Sequence, residues 1–364
     1  MIDFLVIGGG IAGLSAAARL AQLGSVTLLE RESALGYHTS GRSAAMFEET
    51  YGAPSVVALN RASKSYLAGE NGGVLGPRGL LLVGSADMAS AFATDVKAME
   101  MQDISMADAL AMVPILNPAL VDRAAFHPGA LDIDTDLLMQ NFARTLRAHG
   151  GQIVLKSEVT AISRTNSCWT VTTKDNTYDA RQIVNAAGSW ADIIARMAGI
   201  APVGLTPLRR SMARIPAPGG HDVSRWPMIF GPGEDWYAKP DAGALIVSPA
   251  EEDPSFPHDA YADDMILAEG LARYEAHVTE PVTRLLANWA GLRTFAPDRQ
   301  LVLGPDPLDP SFIWCAGQGG YGFQTSPAAS QLVADLVSGT QPQVDAATVA
   351  ATSPARFRRG QVCG

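Results

Sequence analysis

Cysteine is scarce in this chain: three residues in 364, Cys168, Cys315 and Cys363, with no CxxC pair among them. That spacing excludes a disulfide framework and a thiolate zinc site, and it fits a reducing, cytoplasmic setting. Charge is scarce as well, at 18% of residues against the ~25% usual for soluble domains. Because 47% of the residues are hydrophobic, a disordered or fibrous chain is excluded. A basic surplus is missing: the formal net charge is −10, which repels nucleic acid as a partner. Glycine (35) and proline (23) are plentiful but not repetitive, so collagen-like and low-complexity readings fail. No apolar run approaches the ~20 residues that span a bilayer. The nearest candidate, residues 4–18, follows Asp3, lacks a basic flank and is broken by glycine, which argues against a secretory leader. His127, His149, His221, His258 and His277 stand apart without ligand spacing, so no metal is expected.

What is present is a strand, turn and helix at the N-terminus. Residues 2–7 (IDFLVI) predict a short buried strand, Gly8-Gly9-Gly10 punctuates it, and apolar residues recur at helical spacing from Ile11 to Leu23. Residues 26–30 (VTLLE) predict a second strand and complete a βαβ unit of ~30 residues. The same grammar returns at residues 181–197 and 312–337. Residues 235–248 instead predict a hairpin around Pro240-Asp241-Ala242-Gly243. The fold class expected is α/β: a Rossmann-like nucleotide-binding domain interleaved with a substrate domain built on a mixed β-sheet. The expected division gives residues 1–48, 151–200 and 288–345 to the first domain and 49–150 and 201–287 to the second. Residues 346–364, with Arg356, Arg358 and Arg359, are expected to form a solvated tail.

Gly8, Gly10 and Gly13 make a G-x-G-x-x-G that follows a strand and opens a helix, and Glu30 ends the next strand at the separation a ribose-binding acid requires. The first glycine permits the tight turn, the second lets a pyrophosphate approach the backbone, and the third allows helix and strand to pack closely. A helix N-terminus adds roughly half a positive charge for the phosphates. Residues 41–45 (GRSAA) follow closely, after the hydroxyl-bearing Tyr37-His38-Thr39-Ser40. This second set of donors favours FAD over a nicotinamide dinucleotide, although Ser40 or Ser43 could equally cap a helix.

Together with Asn185-Ala186-Ala187-Gly188 and Gly319-Gly320-Tyr321-Gly322, these segments resemble the glycine/D-amino-acid oxidase superfamily of FAD enzymes. Within it the chain resembles the D-arginine dehydrogenases along residues 1 to about 330, including Asp132-Ile133-Asp134-Thr135, Leu208-Arg209-Arg210-Ser211, Tyr237 with Lys239–Gly243, and Trp289-Ala290-Gly291-Leu292-Arg293. The resemblance implies cofactor contacts at Gly8, Gly10, Ile11, Ala12 and Gly13, at Glu30 for the ribose, and at Arg31. It extends them to Thr39, Ser40, Arg42, Ser43 and Ala44, then to Val159, Ala187 and Gly188. At the flavin end it implies Gly319, Gly320, Tyr321 and Gly322, whose amides and helix dipole would stabilise the anionic reduced flavin.

For the substrate, the resemblance implies Arg210 and Arg293 on a carboxylate, Tyr237 beside them, Tyr51 on a mobile lid and Gln324 at the flavin–substrate interface. A guanidinium fork suits a carboxylate bidentately, which lysine does not. Leu80 stands where the relatives carry a glutamate for the substrate guanidinium, and Met46 where they carry a histidine near the flavin. An apolar or neutral side chain is therefore expected in place of arginine, unless Glu48 or Glu49 reaches in from the lid. No cysteine lies near Gly291, so FAD is expected to be non-covalent, and Cys315 reads as a small buried hydrophobe.

These readings converge on FAD-dependent oxidation of a D-amino acid: hydride transfer from Cα to flavin N5, then hydrolysis of the imino acid to a 2-keto acid and ammonia. The handedness comes from the resemblance alone. Oxidation of a secondary amine (sarcosine- or opine-like) or of a 2-hydroxy acid would keep the same arginines. A non-catalytic flavoprotein subunit of a larger complex is the alternative of another class. Oxygen, a quinone and an electron-transfer protein all remain open as electron acceptor.

Overall fold

The computed structural model describes residues 1–165 and 168–358, and Arg359 and Cys363 lie outside them. Two large sheets organise the chain. At the centre of the first, strand Ile2–Ile7 runs parallel to Val26–Leu29 on one side and to Thr177–Asn185 on the other. Gln152–Val154 extends it beyond Val26–Leu29, and Phe312–Ala316 pairs in parallel with residues 183–185. Val26–Leu29 and Phe312–Ala316 are buried along their whole length because both faces of the sheet are covered. Phe4 and Val6 face a cluster with helices Ile11–Leu20, Thr135–Ala148 and Gly322–Ser338, whereas Leu5 and Ile7 face the opposite cluster with Ala191–Met197.

The second sheet has nine strands, and its longest, Thr206–Pro216, pairs antiparallel along its length with Ala287–Phe295. On its other edge come Ala244–Ser248, Tyr237–Asp241, Met228–Phe230 and Leu80–Gly84. The expected hairpin forms with a tighter turn than its sequence suggested. Pro240 and Asp241 stay in the strand, and Ala242 (φ +45°) with Gly243 (φ +75°) makes the two-residue loop. Positive φ at both positions matches the right-handed twist of the flanking strands.

Three expectations about organisation are corrected. Ala287–Phe295 belongs to the second sheet, although residues 288–345 were assigned to the nucleotide-binding part. Helices Pro54–Gly69 and Thr135–Ala148, assigned to the substrate part, pack against Gly322–Ser338 and Ile11–Leu20 of the first layer. The C-terminal segment is docked and not solvated as far as residue 358. Arg358 is buried on Asp306 at 3.0 Å, and Arg356 pairs with Asp298 at 2.6 Å. A basic run looks like a tail in sequence because its acidic partners lie some fifty residues away.

Candidate active site

A groove opens at the C-terminal ends of the parallel strands. Gly8 has φ +112°, and a Cβ there would fall 2.4 Å from the carbonyl oxygen of Ala186. At Gly13 a Cβ would sit 1.9 Å from the Gly8 carbonyl, so strand, turn and helix fit only with glycine at both places. The Ile11–Leu20 helix carries no acid in its first turn, and its Ile11 N–H donates to Ser40 Oγ at 3.0 Å. Its positive end is thus free to face an anion. Glu30 is 7% exposed at the groove wall, accepting from the amides of Gly9 (2.7 Å) and Glu32 (2.8 Å).

From that point the groove runs two ways. Toward one end lie Arg31, Val159 and Trp190, with the Arg31 guanidinium 4.8 Å from the Trp190 ring centre. Toward the other lie Thr39, Ser40, Arg42 and Ser43 opposite Ala187, Gly188, Gly319, Gly320 and Gly322. Thr39 Oγ1 donates to the Leu292 carbonyl, and Arg42 donates to those of Ala260 and Ala290. Arg42 lines the groove while its guanidinium staples the 39–43 turn to the second sheet. A glycine-walled groove with an acid at the ribose position and an uncompensated helix N-terminus fits a dinucleotide such as FAD.

Of the residues the resemblance assigns to the cofactor, Gly8, Gly10, Ile11, Ala12 and Glu30 line this groove. Three expected cofactor residues do not. Gly13 lies behind the helix turn, and Ala44 faces the adjoining cavity. The Tyr321 ring turns to Tyr51 and Phe295, with centroids 5.5 and 6.3 Å away. Trp190, Gln318 and Thr294 line the groove without having been singled out; a single tryptophan after Gly188-Ser189 carries no sequence signal for that position.

The adjoining cavity brings together Tyr51, Arg210, Tyr237, Arg293 and Gln324, with Met46 and Leu80. Strand register explains why. Arg210 pairs with Gly291 and Leu208 with Arg293, so both arginines project from one face of the sheet. Tyr237, two strands away, points to the same face, and among the described residues its hydroxyl meets only Met212 Sδ at 3.3 Å. A thioether is a weak acceptor, which leaves the phenol available to a better one. Arg293 has no carboxylate within ion-pair distance among the described residues, although it is enclosed by protein. Arg210 reaches Glu252 at 3.4 Å through Nη2, while its Nε and Nη1 are buried without partners. Burial, and then the like charge of Arg293, lower the Arg210 pKa from its ordinary value.

The remaining wall is apolar: Leu80, Met99 and Phe230 are buried, and Met46 and Met228 stand beside them. Met99, Met228 and Phe230 were not foreseen, because nothing in their local sequence sets them apart from core residues. Glu48 also lines the cavity, but its carboxylate accepts from Thr50 N and Oγ1 and lies 3.2 Å from His127 Nε2. Glu49 is drawn off by Lys64 at 2.6 Å. Tyr51 donates to Glu234 at 2.9 Å. Burial, and then the Glu234 carboxylate, push the Tyr51 phenol far above its usual range. Gln324 Oε1 accepts from the Glu48 amide at 3.1 Å, tying the segment before Tyr51 to the Gly322–Ser338 helix.

Fold and site define a flavin-binding oxidoreductase. The family model of FAD dependent oxidoreductases called DAO matches residues 3–336, and the chain belongs to this family. It is 26% identical to a glycine oxidase of Pseudomonas putida over 95% of this chain and 97% of the relative. In structure it is similar to the glycine oxidase of Geobacillus kaustophilus, with TM-score 0.82 and 23% identity over 97% of this chain and 98% of that one. It is also similar to an L-proline dehydrogenase of P. horikoshii, with TM-score 0.83 and 22% identity over 100% and 99% of the two chains. Among the described residues no helix is long and apolar enough to cross a membrane, and no cluster of side chains suits a metal ion.

Proposed function

We propose that the protein oxidises a D-amino acid with a neutral or apolar side chain to an imino acid. The observation that carries this reading is the enclosed, unpaired guanidinium of Arg293 beside Arg210, facing an apolar wall across one cavity. Two neighbouring cations, one without a counter-ion among the described residues and the other reaching Glu252 only at 3.4 Å with two donors unpaired, ask for an anion, and a carboxylate meets both forks. Arg293 and Arg210 hold the substrate carboxylate, with the Tyr237 hydroxyl as a third donor. The side chain lies along Met46, Leu80, Met228 and Phe230, gaining ~0.8 kcal/mol per buried CH₂. Tyr51, held by Glu234, closes the lid side and excludes water. Cα then faces the groove between the two sites.

FAD bound in the groove supplies a two-electron acceptor for the Cα–H bond. The substrate loses two electrons and two hydrogens in becoming the imino acid, and water then releases a 2-keto acid and ammonia. Positioning by the arginines supplies much of the rate, so no side-chain base is needed when the amine binds neutral. The D-configuration rests on the resemblance to the D-arginine dehydrogenases. Similarity to glycine oxidases keeps small and secondary amines as the second reading.

Anaerobic flavin bleaching by D- and L-amino acids, glycine, sarcosine and 2-hydroxy acids, followed by air, tests the proposal. Bleaching is expected with D-methionine, D-leucine and D-phenylalanine. Reduction by secondary amines or hydroxy acids alone overturns it, and reduction by none of them favours a non-catalytic subunit. The response to air separates oxygen from other acceptors.

A further inference from the structure

Behind the carboxylate site lie two charged residues to which the reading above gives no role. Glu252 Oε1 accepts a hydrogen bond from Arg299 Nη2 at 2.9 Å and faces Arg210 Nη2 at 3.4 Å. One carboxylate oxygen is shared unequally between a surface guanidinium and a buried one. Glu252 is the only ion-pair partner of Arg210 among the described residues. Its neighbours are committed elsewhere: Glu251 accepts from the Ser211 amide at 2.7 Å, and Asp253 pairs with Arg209 at 2.9 Å. Of three consecutive acids, one alone is aimed at Arg210.

Arg299 is fixed in turn. Its guanidinium carbon lies 3.9 Å from the centre of the Phe295 ring, on the strand that carries Arg293. Both supports of the arrangement use a backbone conformation that residues with a Cβ rarely adopt: Arg299 has φ +59°, and Ala250, two residues before Glu252, has φ +55°. Unfavourable conformations persist where the surroundings over-determine them, and they gather at sites of function.

We propose that Glu252 is a built-in competitor of the substrate carboxylate for Arg210, and that Arg299 restrains it, so that the pair sets the affinity of the site. The proposal rests on reading Arg210 as a carboxylate-binding residue. An anion already beside Arg210 repels a second one and occupies one of its donors. The shorter bond to Arg299 keeps Glu252 at the edge of contact, which leaves Arg210 free for substrate. Without Arg299 nothing holds Glu252 back, and it closes on the unpaired donors of Arg210. Removing the competitor and removing its restraint therefore act in opposite directions.

The test uses the holoenzyme and two readouts. One is anaerobic stopped-flow reduction by the best amino acid of the panel, giving Kd and the limiting rate. The other is titration with propionate, a carboxylate that cannot be oxidised at an amine, followed by the flavin spectrum. Glu252→Gln keeps an acceptor oxygen but removes the charge, and it should lower Kd for both ligands about two- to fivefold, the range a half-exposed ion pair supports. Arg299→Ala should raise Kd by a similar factor, and should change little in the Glu252→Gln background. The limiting rate should stay constant in all three. An unchanged or raised Kd in Glu252→Gln overturns the proposal, because Glu252 would then merely prop Arg210. Equal effects of Arg299→Ala with and without Glu252 overturn it too, since they report only the loss of a positive charge. If no amino acid reduces the flavin, the proposed function fails while the propionate titration still decides this point.

Discussion

The cofactor groove and the substrate cavity share a boundary but are built from different material. The groove turns on glycines: Gly8, Gly10, Gly188, Gly319, Gly320 and Gly322 line it beside side chains such as Glu30 and Trp190, and carbonyls take the side chains of Thr39 and Arg42. The cavity is walled by side chains standing on one sheet face, from Arg293 and Arg210 to Phe230 and Leu80. At Gly8 a Cβ collides with the Ala186 carbonyl, main chain that cannot swing aside, so that part of the wall admits little substitution. A side-chain-walled site can change its ligand by one residue while the sheet beneath is untouched. The family's common cofactor and its varied substrates are what that difference predicts.

The largest effect is expected where the cavity depends on a single charge. Arg293→Ala removes one partner of a desolvated charge pair, a loss of ~2–5 kcal/mol or more. kcat/KM should fall by about two to four orders of magnitude while FAD stays bound, and steady-state kinetics with a flavin-content assay decide it. Near-normal efficiency removes Arg293 from the site. Arg210→Ala should act in the same direction, and Arg209 is no substitute, because it projects from the other face of the strand onto Asp253 at 2.9 Å.

On the groove side, Gly8→Ala places a methyl group 2.4 Å from the Ala186 carbonyl in a left-handed backbone. FAD content after purification should drop steeply even if the fold survives. Full occupancy would show the groove to be more compliant than its geometry allows. In the unmodified protein, acid precipitation should leave FAD in the supernatant, and flavin in the pellet would contradict a non-covalent groove.

Leu80→Glu sharpens the claim that one side chain sets specificity. Relative kcat/KM should move by about ten- to a hundredfold toward D-arginine and D-lysine and away from D-leucine, as expected when a buried cation gains an anion. D-arginine as the best substrate of the unmodified protein would place the specificity wall elsewhere.

The smallest effects concern protons. With its pKa raised by burial and by Glu234, Tyr51 stays a neutral donor throughout the working pH range. Any alkaline limb in the kcat/KM profile should therefore persist in Tyr51→Phe, and its disappearance would assign the limb to Tyr51. Burial also pushes the Cys315 thiol up to about 12, so at pH 8 its thiolate is scarce. Peptide mapping after alkylation should find Cys315 unmodified until the protein is unfolded.

The sequence by itself determined the groove. Gly8, Gly10 and Gly13 answer local demands of a strand turning into a helix, Glu30 follows at a fixed interval, and such demands are written within some thirty residues. Arg210, Arg293, Tyr237, Tyr51 and Gln324, which the resemblance singles out, line one cavity. Only the tertiary structure decided how they meet. The register of Thr206–Pro216 against Ala287–Phe295 puts two arginines on one face, and no local signal states it. Met99, Met228 and Phe230 became a cavity wall, and Tyr321 left the groove for Tyr51, through packing between distant segments. The docking of Arg358 on Asp306 has the same origin. Backbone conformation is a property of neighbours in sequence, whereas the pairing of charges and the shape of a cavity belong to neighbours in space.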